Sequence, residues 1–469
     1  MTSRRFTLVA MLAGAALAVG PIVTGHAPRF IWNASGSVAV GLYSLAPVGP
    51  IEVGADGEAS VRVEAGVVLS ELRAQVERAS GGALTFAPDP SSHTRATLGG
   101  SYGNDACGNH SVAYGRTSHH VIEAEGITAG GARLIAGPGG GRPVDDEDAA
   151  SRARADELND RLRALADAHL AAFRTELQTI PRQVSGYHLG HLLPEEGLDV
   201  AAALAGSEGT CAVMIRARVR LVPKPAHTAL LCVGYDDSVA AARDVMPMLG
   251  AEPTAIEGLD AAIVDIMRGR RGAASVDALP KGQAYVIIEF TAESVDEARE
   301  RCERLAAELT TLGRARDFII ETDPVRRAKL WRVREDGAGL VSRQLDGTQT
   351  WPGWEDSAVA PERLADYLAD LTALIERYGY IGPMYGHFGA GCVHVRIDFD
   401  LRSDAGRAKF GAFIEEAARL VVSHGGSLSG EHGDGRLRGE LLPRMYPPHT
   451  IAAFGELKRL MDPLGLLNP

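Results

Sequence analysis

Cysteine is scarce: five residues in 469 (Cys107, Cys211, Cys232, Cys302 and Cys392), odd in number and widely scattered. No two form a C-x-x-C pair, so the chain carries no thiolate framework for a zinc ribbon or an iron–sulfur cluster. Reduced, buried thiols are the expected state, as in a reducing compartment. Positive charge is also in short supply, 48 Lys and Arg against 60 Asp and Glu for a net charge of −12. That argues against nucleic acid as a partner and gives no general attraction for an anionic substrate, which local arginines must then capture. Lysine is absent until Lys224, and no internal repeat of fixed period occurs. What is plentiful is apolar surface: 45% hydrophobic content supports a globular chain of two or three domains.

At the N-terminus Arg4 and Arg5 precede an apolar run, Phe6 to Val23, with the length of a signal sequence or a marginal membrane span. Membrane contact through residues 6–23 is therefore an expectation, and both cytoplasmic and inner-membrane-associated locations stay open. The next segment, WNASGSVAVGLYSLAPVG, resembles the opening of the conjugal-transfer type of signal peptidase, with the match placing a nucleophile at Ser37. Such a serine needs a base, usually a lysine. Lys224 comes too late to continue the resemblance, so residues 1–50 read as a leader or fusion remnant.

From Ile51 the pattern changes. GEASVRVEAGVVLSELRAQVERA alternates valines and then spaces apolar residues helically, a strand followed by a helix. Gly99 to Gly115 is rich in Gly, Asn and Ser and reads as a loop whose backbone can approach a cofactor closely. Val121 to Ile135 reads as a hairpin turning at Gly130-Gly131, Gly137 to Arg142 as a flexible continuation, and Asp145 to Gln178 as an exposed helix without chemistry. Ala212 to Val222 alternates apolar and basic residues as a half-buried strand does, and Pro223 and Pro225 mark a boundary. Beyond it the order is strand (229–234), helix (238–249), strand (283–290) and long helix (294–312), which predicts helices packed on one antiparallel sheet. The fold class expected is α+β, with domains at 51–223 and 224–469.

The chemistry concentrates in GHFGAGCVHVRID (386–398) and SGEHGDGRLR (429–438). His387 and His394 are seven apart, a spacing that sends two rings to opposite faces of one straight strand. A turn at Gly389-Ala390-Gly391 would let both imidazoles converge on one ion. Glu431 offers a third, oxygen ligand, and three protein ligands with an open position suit a catalytic divalent metal of the zinc or manganese type. His432, beside Glu431, is left as a proton acceptor. On spacing alone, hydrogen-bonded structural histidines around glycine turns account for the same pattern.

YGHFGAGCVH, SGEHGDG and the terminal MDPLGLLNP resemble the C-terminal domain of FAD-linked oxidases in the vanillyl-alcohol-oxidase (PCMH-type) superfamily, the group holding D-lactate, glycolate and D-2-hydroxyglutarate dehydrogenases. Upstream, PDPSSHTRATLGGSYGNDACGNHSVAYGRTS and GSEGTCAVM resemble that superfamily's flavin-binding segment. IPRQVSGYHL, LWRVRED, WPGWEDSAV and SGEHGDGRLRGELLPRMY are worded most like large bacterial D-2-hydroxyglutarate dehydrogenases that carry a C-terminal iron–sulfur module. The resemblance spans residues 52 to 469.

The resemblance implies FAD as cofactor, contacted by Pro88, Asp89, Pro90, Thr97, Gly99, Gly100, Asn104, Ser111 and Gly115, by Glu208, Gly209 and Thr210, and by Asn468 at the end of the chain. It also implies oxidation of a D-2-hydroxy acid to the 2-oxo acid, with an external electron acceptor as partner. In that reading a metal on His387, His394 and Glu431 lowers the hydroxyl pKa and His432 takes the proton. Arg334 and Arg396 are the candidate clamps for substrate carboxylate; Arg396, two residues after His394, can share its strand face. Two features depart from the family pattern. Ala390 and Cys392 stand where many relatives have Asp and Asn, removing an acceptor for a metal-bound histidine. Relatives also carry a first flavin subdomain ahead of the Ile51 region, so a truncated FAD-binding domain, an exposed sheet edge and impaired FAD affinity are expected.

Overall fold

The computed structural model of the chain describes residues 29–32, 38–41, 48–144, 148–177 and 179–468. Ser37 and the apolar run 6–23 lie outside the described residues. No helix among the described residues is long and apolar enough to cross a membrane.

Arg29–Trp32 (β1) and Val38–Gly41 (β2) pair as an antiparallel hairpin. The first large sheet is built from Glu52–Val53 (β3), Ala59–Glu64 (β4), Val121–Ile127, Arg133–Gly137, Gly140–Pro143 and Val213–Arg220. Leu84–Thr85 (β5) lies outside it, so the remaining four are β6 to β9 in chain order. Their order across the sheet is β3-β4-β9-β6-β7-β8, antiparallel throughout. The period-2 pattern of IRARVR is realised: Ala217 and Val219 are buried, while Arg216 and Arg218 meet Glu125 and Glu123 of β6 on the solvent face. One edge is the two-residue β3, with Val53 exposed. At the other edge the helix Ala149–Ala168 covers β8, and Asn159 bonds both the N–H and the C=O of Gly141.

Three expectations are corrected here. Gly99 to Gly115, expected as a loop, contains most of the short helix Leu98–Gly103 and all of Ser111–Tyr114. Gly137 to Arg142 is no flexible tail: it turns tightly and returns as β8, paired residue for residue with β7. The charged stretch after Asp145 forms two helices, Ala149–Ala168 and Leu170–Thr175. They bury Leu162, Leu165 and Phe173 against the core that also holds Phe86 and Tyr102.

After Val222–Pro223 (β10), which pairs with β5, the second large sheet begins. Its strands are His227–Tyr235 (β11), Ala255–Asp260 (β12), Ala284–Ala292 (β13), Asp317–Glu321 (β14), Ser357–Ala358 (β15), Met384–His387 (β16) and Cys392–Val395 (β17). They lie in the order β14-β11-β13-β12-β16-β17-β15, again antiparallel. The α+β class with helices on an antiparallel sheet is what forms. The sequence pattern missed β12 altogether and drew 238–249 as one helix. The chain breaks at Asp244 into Ser238–Arg243 and Val245–Gly250, because Pro247 has no N–H for the Arg243 carbonyl and its ring crowds that carbonyl; the buried Asp244 carboxylate at the break pairs with Arg314.

Helix boundaries follow local chemistry. Ser294 caps Val295–Leu312 by accepting from the Glu297 N–H, Glu297 reaches back to the Glu293 N–H, and Gly313 ends the helix in a left-handed conformation. Leu364–Arg377 buries Leu364, Leu368, Leu371 and Ile375, an i, i+4, i+7 stripe, each worth about 1.5–3 kcal/mol of transfer free energy. Asp323 caps Pro324–Leu340 through the N–H groups of Val325 and Arg326. That helix carries Trp331 and Arg334 to the sheet face where the histidines gather.

Candidate active site

The seven-residue histidine spacing resolves as a tight hairpin. β16 ends at His387, Phe388–Ala390 makes one 3-10 turn, Gly391 takes φ +68°, and β17 starts at Cys392, opposite His387 in the register. Only glycine suits position 391: its conformation is left-handed, and an added Cβ would run into the carbonyl oxygen of Val359. The turn brings the two rings to 5.2 Å, nearly perpendicular.

Both imidazoles point at one oxygen. His387 Nε2 lies 3.3 Å and His394 Nε2 3.2 Å from Glu431 Oε1, and both rings are buried. Glu431 arrives on the SGEHGDG loop, whose shape is set by Asp356. This fully buried aspartate, at φ +83°, accepts from Ser429 Oγ (2.5 Å) and from the N–H groups of Gly430 (3.1 Å), Glu431 (2.9 Å) and His432 (2.9 Å). His432 is the partly exposed member of the group; its ring stacks on that of His394 at 5.2 Å.

Asp356, His394, Glu431 and His432 each offer a donor atom within 4.8 Å of the others. The chemistry favours a different set. The Asp356 carboxylate is consumed by four loop donors, whereas His387 has Nδ1 fixed by Glu257 Oε1 at 2.7 Å, which leaves Nε2 to face Glu431. Among the described residues His394 Nδ1 is buried without a hydrogen-bond partner, 3.9 Å from Glu355 Oε1. Two imidazole nitrogens and one carboxylate oxygen converging at a single point fit a divalent cation held by His387, His394 and Glu431. The acceptor expected to be lost at Ala390 is supplied by Glu257 from β12. Cys107 and Cys392 flank the group, with Sγ 3.7 Å from Glu431 and 3.4 Å from Asp356; burial raises both thiols well above their usual range, which keeps them protonated.

Burial alone would raise Glu431, but the charges of Arg182 and His387 hold its carboxyl well below the usual range. Desolvation and the Arg182 charge oppose protonation of His387, yet Glu257 and Glu431 raise it overall. Burial lowers His394, so that ring is neutral. Despite burial, Asp356 and Glu355 are held low by His432, with His394 and the arginines Arg438 and Arg396 adding to it.

The two candidate clamps differ. Arg334 is buried, gives Nε and Nη2 to Glu257 Oε2 (3.0 and 2.9 Å), and lies over the Tyr385 ring at 4.7 Å. Arg396, just past β17, meets His394's neighbour Glu355: its Nη2 is 3.5 Å from Glu355 Oε2, and its Nε is buried without a hydrogen-bond partner among the described residues.

The residues expected to contact flavin sit against this loop. Asn104 donates to the carbonyl of His432 (3.1 Å), and Glu208 accepts from the N–H groups of Asp434 (2.8 Å) and Gly435 (3.1 Å). Glu208 N–H bonds Gly103 O at 2.8 Å, so the two glycine-bearing segments lie side by side. A Cβ on Gly100 would meet only the Thr97 hydroxyl, and one on Gly103 or Gly209 would meet nothing within 4 Å among the described residues, so these positions face open space. Thr97 caps Leu98–Gly103, Thr210 Oγ donates to Ser207 O and bonds the Tyr187 hydroxyl, and Asn468 donates to Glu208 O. The others have neighbours within the chain. Gly99 abuts Ala65, Gly115 turns over His119 at φ +77°, Pro88 O accepts from Arg73, and Pro90 is buried. Asp89 pairs with His110, which also bonds Glu289 of the second sheet, and Ser111 Oγ accepts from Arg182.

Sequence reasoning missed Asp356, Glu257, Glu355 and Arg182. Glu355, Asp356 and Arg182 lay inside segments already picked out, WPGWEDSAV and IPRQVSGYHL, so an acidic pair and an arginine there were the available signal. Glu257 had none, because its strand was not recognised.

A family model described as the C-terminal domain of FAD-linked oxidases matches residues 224–469, and an FAD-binding domain model matches residues 50–137. The chain belongs to the FAD-linked oxidases. It is 31% identical over 425 residues to the D-2-hydroxyglutarate dehydrogenase of Pseudomonas putida, covering 87% of this chain and 41% of that protein. It is 28% identical over 426 residues to the D-lactate dehydrogenase of Archaeoglobus fulgidus, covering 89% of this chain and 78% of that one. Among solved structures, 4-ethylphenol oxidase from Gulosibacter chungangensis superposes with a TM-score of 0.58 at 15% identity, over 89% of this chain and 77% of that one. This last is a likeness of fold. The chain spans about two fifths of the length of the first four curated relatives, 41% in each case.

Proposed function

We propose that this chain is an FAD-dependent dehydrogenase that oxidises a D-2-hydroxy acid to the 2-oxo acid, with a divalent metal at His387, His394 and Glu431. The observation that carries it is the meeting of both Nε2 atoms on Glu431 Oε1, with the His432 ring stacked alongside and Asn104 of the flavin-type loop bonded to the His432 carbonyl. When bound, FAD supplies a two-electron acceptor for the hydride of the α-carbon, and the metal supplies Lewis-acid polarisation of the hydroxyl oxygen.

The chain's own residues do the rest. His432 takes the hydroxyl proton on an imidazole nitrogen; its partial exposure gives that proton a way out. Arg396 binds the substrate carboxylate through the Nε that has no partner among the described residues, with Glu355 holding its Nη2. Arg334 acts through Glu257, which orients His387. Burial of both histidines keeps water from the reacting oxygen. A flavin held beside these residues would need an external electron acceptor, outside this chain, for its reoxidation. The D-2-hydroxyglutarate and D-lactate relatives favour small hydroxy acids as the substrate class.

The test is a spectrum of the purified full chain after incubation with FAD and zinc. Retained flavin absorbs near about 450 nm, and anaerobic D-2-hydroxyglutarate or D-lactate bleaches that band. His432→Ala retains flavin without bleaching. A folded preparation that takes up no FAD, or a flavin band that no D-2-hydroxy acid bleaches, ends this reading.

A further inference from the structure

Arg182 is a charged side chain almost wholly enclosed, 1% exposed, and it stands outside every role given above. Its planar head makes contacts in two directions. Nη1 meets Glu431 Oε2 at 2.8 Å. Nη2 donates to Gly108 O at 2.5 Å and to Ser111 Oγ at 2.7 Å, and Nε donates to Ser111 Oγ at 3.2 Å. One guanidinium thus ties the Gly108–Ser111 loop of the flavin-type segment to the carboxylate on which His387 and His394 converge.

The two oxygens of Glu431 are divided: Oε2 belongs to Arg182 and Oε1 to the imidazoles. A carboxylate free to rotate would present either oxygen, or both, to an ion between the rings. We infer that Arg182 is the positioning residue that fixes Glu431 for single-oxygen metal ligation, anchored for that purpose on Gly108 and Ser111. This rests on the metal reading of the site proposed above. The fork geometry is what the task needs, since a lysine ammonium can face Glu431 but cannot hold the loop in the same plane. An opposing effect exists: a fixed positive charge beside a divalent ion repels it. The positioning effect wins, because loss of a partner that orients a metal ligand typically weakens metal affinity by about 10- to 100-fold.

The experiment is zinc titration of the full chain against a chromogenic chelator, for wild type, Glu431→Gln, Arg182→Met, Arg182→Lys and Ser111→Ala, with circular dichroism to show that each is folded. Arg182→Met is expected to bind zinc about 10- to 100-fold more weakly. Arg182→Lys and Ser111→Ala should fall between it and wild type, a graded rescue that a merely structural ion pair would not produce. Should the Met variant not fold, the Lys and Ala variants decide the matter: both binding zinc as wild type does overturns the inference. Loss of binding in Glu431→Gln with wild-type or tighter affinity in Arg182→Met also overturns it, while sparing the metal reading. Equal binding by wild type and Glu431→Gln sinks the metal reading and this inference together.

Discussion

Removing the Asp356 side chain while keeping its backbone isolates what that carboxylate does. Glycine at 356 accepts φ +83° without the roughly 1–3 kcal/mol strain that a non-glycine residue bears there, so on backbone grounds alone Asp356→Gly stabilises. The lost hydrogen bonds act the other way. Gly430 N–H keeps the main-chain oxygen of residue 356 at 2.7 Å, but Ser429 Oγ and the N–H groups of Glu431 and His432 lose their acceptor. Bonds to a charged acceptor contribute about 1.5–3 kcal/mol each, and the three together give an upper range of about 4.5–9 kcal/mol. Water entering the space and relief of backbone strain bring the net loss to about 3–5 kcal/mol. Because a chain with three core clusters need not unfold in one step, the assay should be local: hydrogen exchange of a peptide spanning 427–434. Expected is faster exchange by about two to three and a half decades. Exchange within about tenfold of wild type, or slower, would mean that the loop is held by something other than Asp356.

Glu257→Ala leaves the buried Arg334 and His387 Nδ1 without their carboxylate; zinc affinity should fall about 10- to 100-fold and stability by about 3–5 kcal/mol, read by chelator competition and thermal melting. Gly391→Ala should lower the melting temperature far more than Gly209→Ala, since both glycines have φ +68° but only residue 391 has a carbonyl where the Cβ must go; equal shifts would remove the steric account of the hairpin. Asp434 is buried, with one carboxylate oxygen bonded to the Gly186 N–H, and burial pushes its pKa up to about 6. The native state therefore holds a proton that the unfolded chain releases near 3.8, so this group's stabilisation is complete below that value and is lost as pH rises to about 6. Asp434→Asn should abolish that loss: the stability difference between variant and wild type should grow from pH 4 to pH 6 by about 2 kcal/mol, and a flat difference refutes the assignment.

Much of the architecture could be read from the order of residues because it is local. Alternation in IRARVR, the Ser294–Glu297 cap and the glycine turn between His387 and His394 are decided by neighbours within a few residues, where backbone sterics and side-chain periodicity act directly. The histidines and the acid among glycines stood out for the same reason, although their spacing alone fits hydrogen-bonded structural groups as well as ligands. The partners of those ligands were not. Glu257 lies 130 residues from His387 and Arg182 lies 249 from Glu431. Asp356 reaches across 73 to 76 residues to shape the loop. A buried ion pair leaves no periodic trace in either of its two segments, because each residue alone looks like any surface charge.

The sequence by itself determined which groups can bind, turn or alternate, since those are properties of a residue and its neighbours. Only the tertiary structure decided that Gly99 lies against Ala65 and that Arg334 meets Glu257. It also decided that two histidines share one oxygen of Glu431 while an arginine holds the other. The physical reason is that desolvation makes each buried charge depend on whatever the rest of the chain brings beside it.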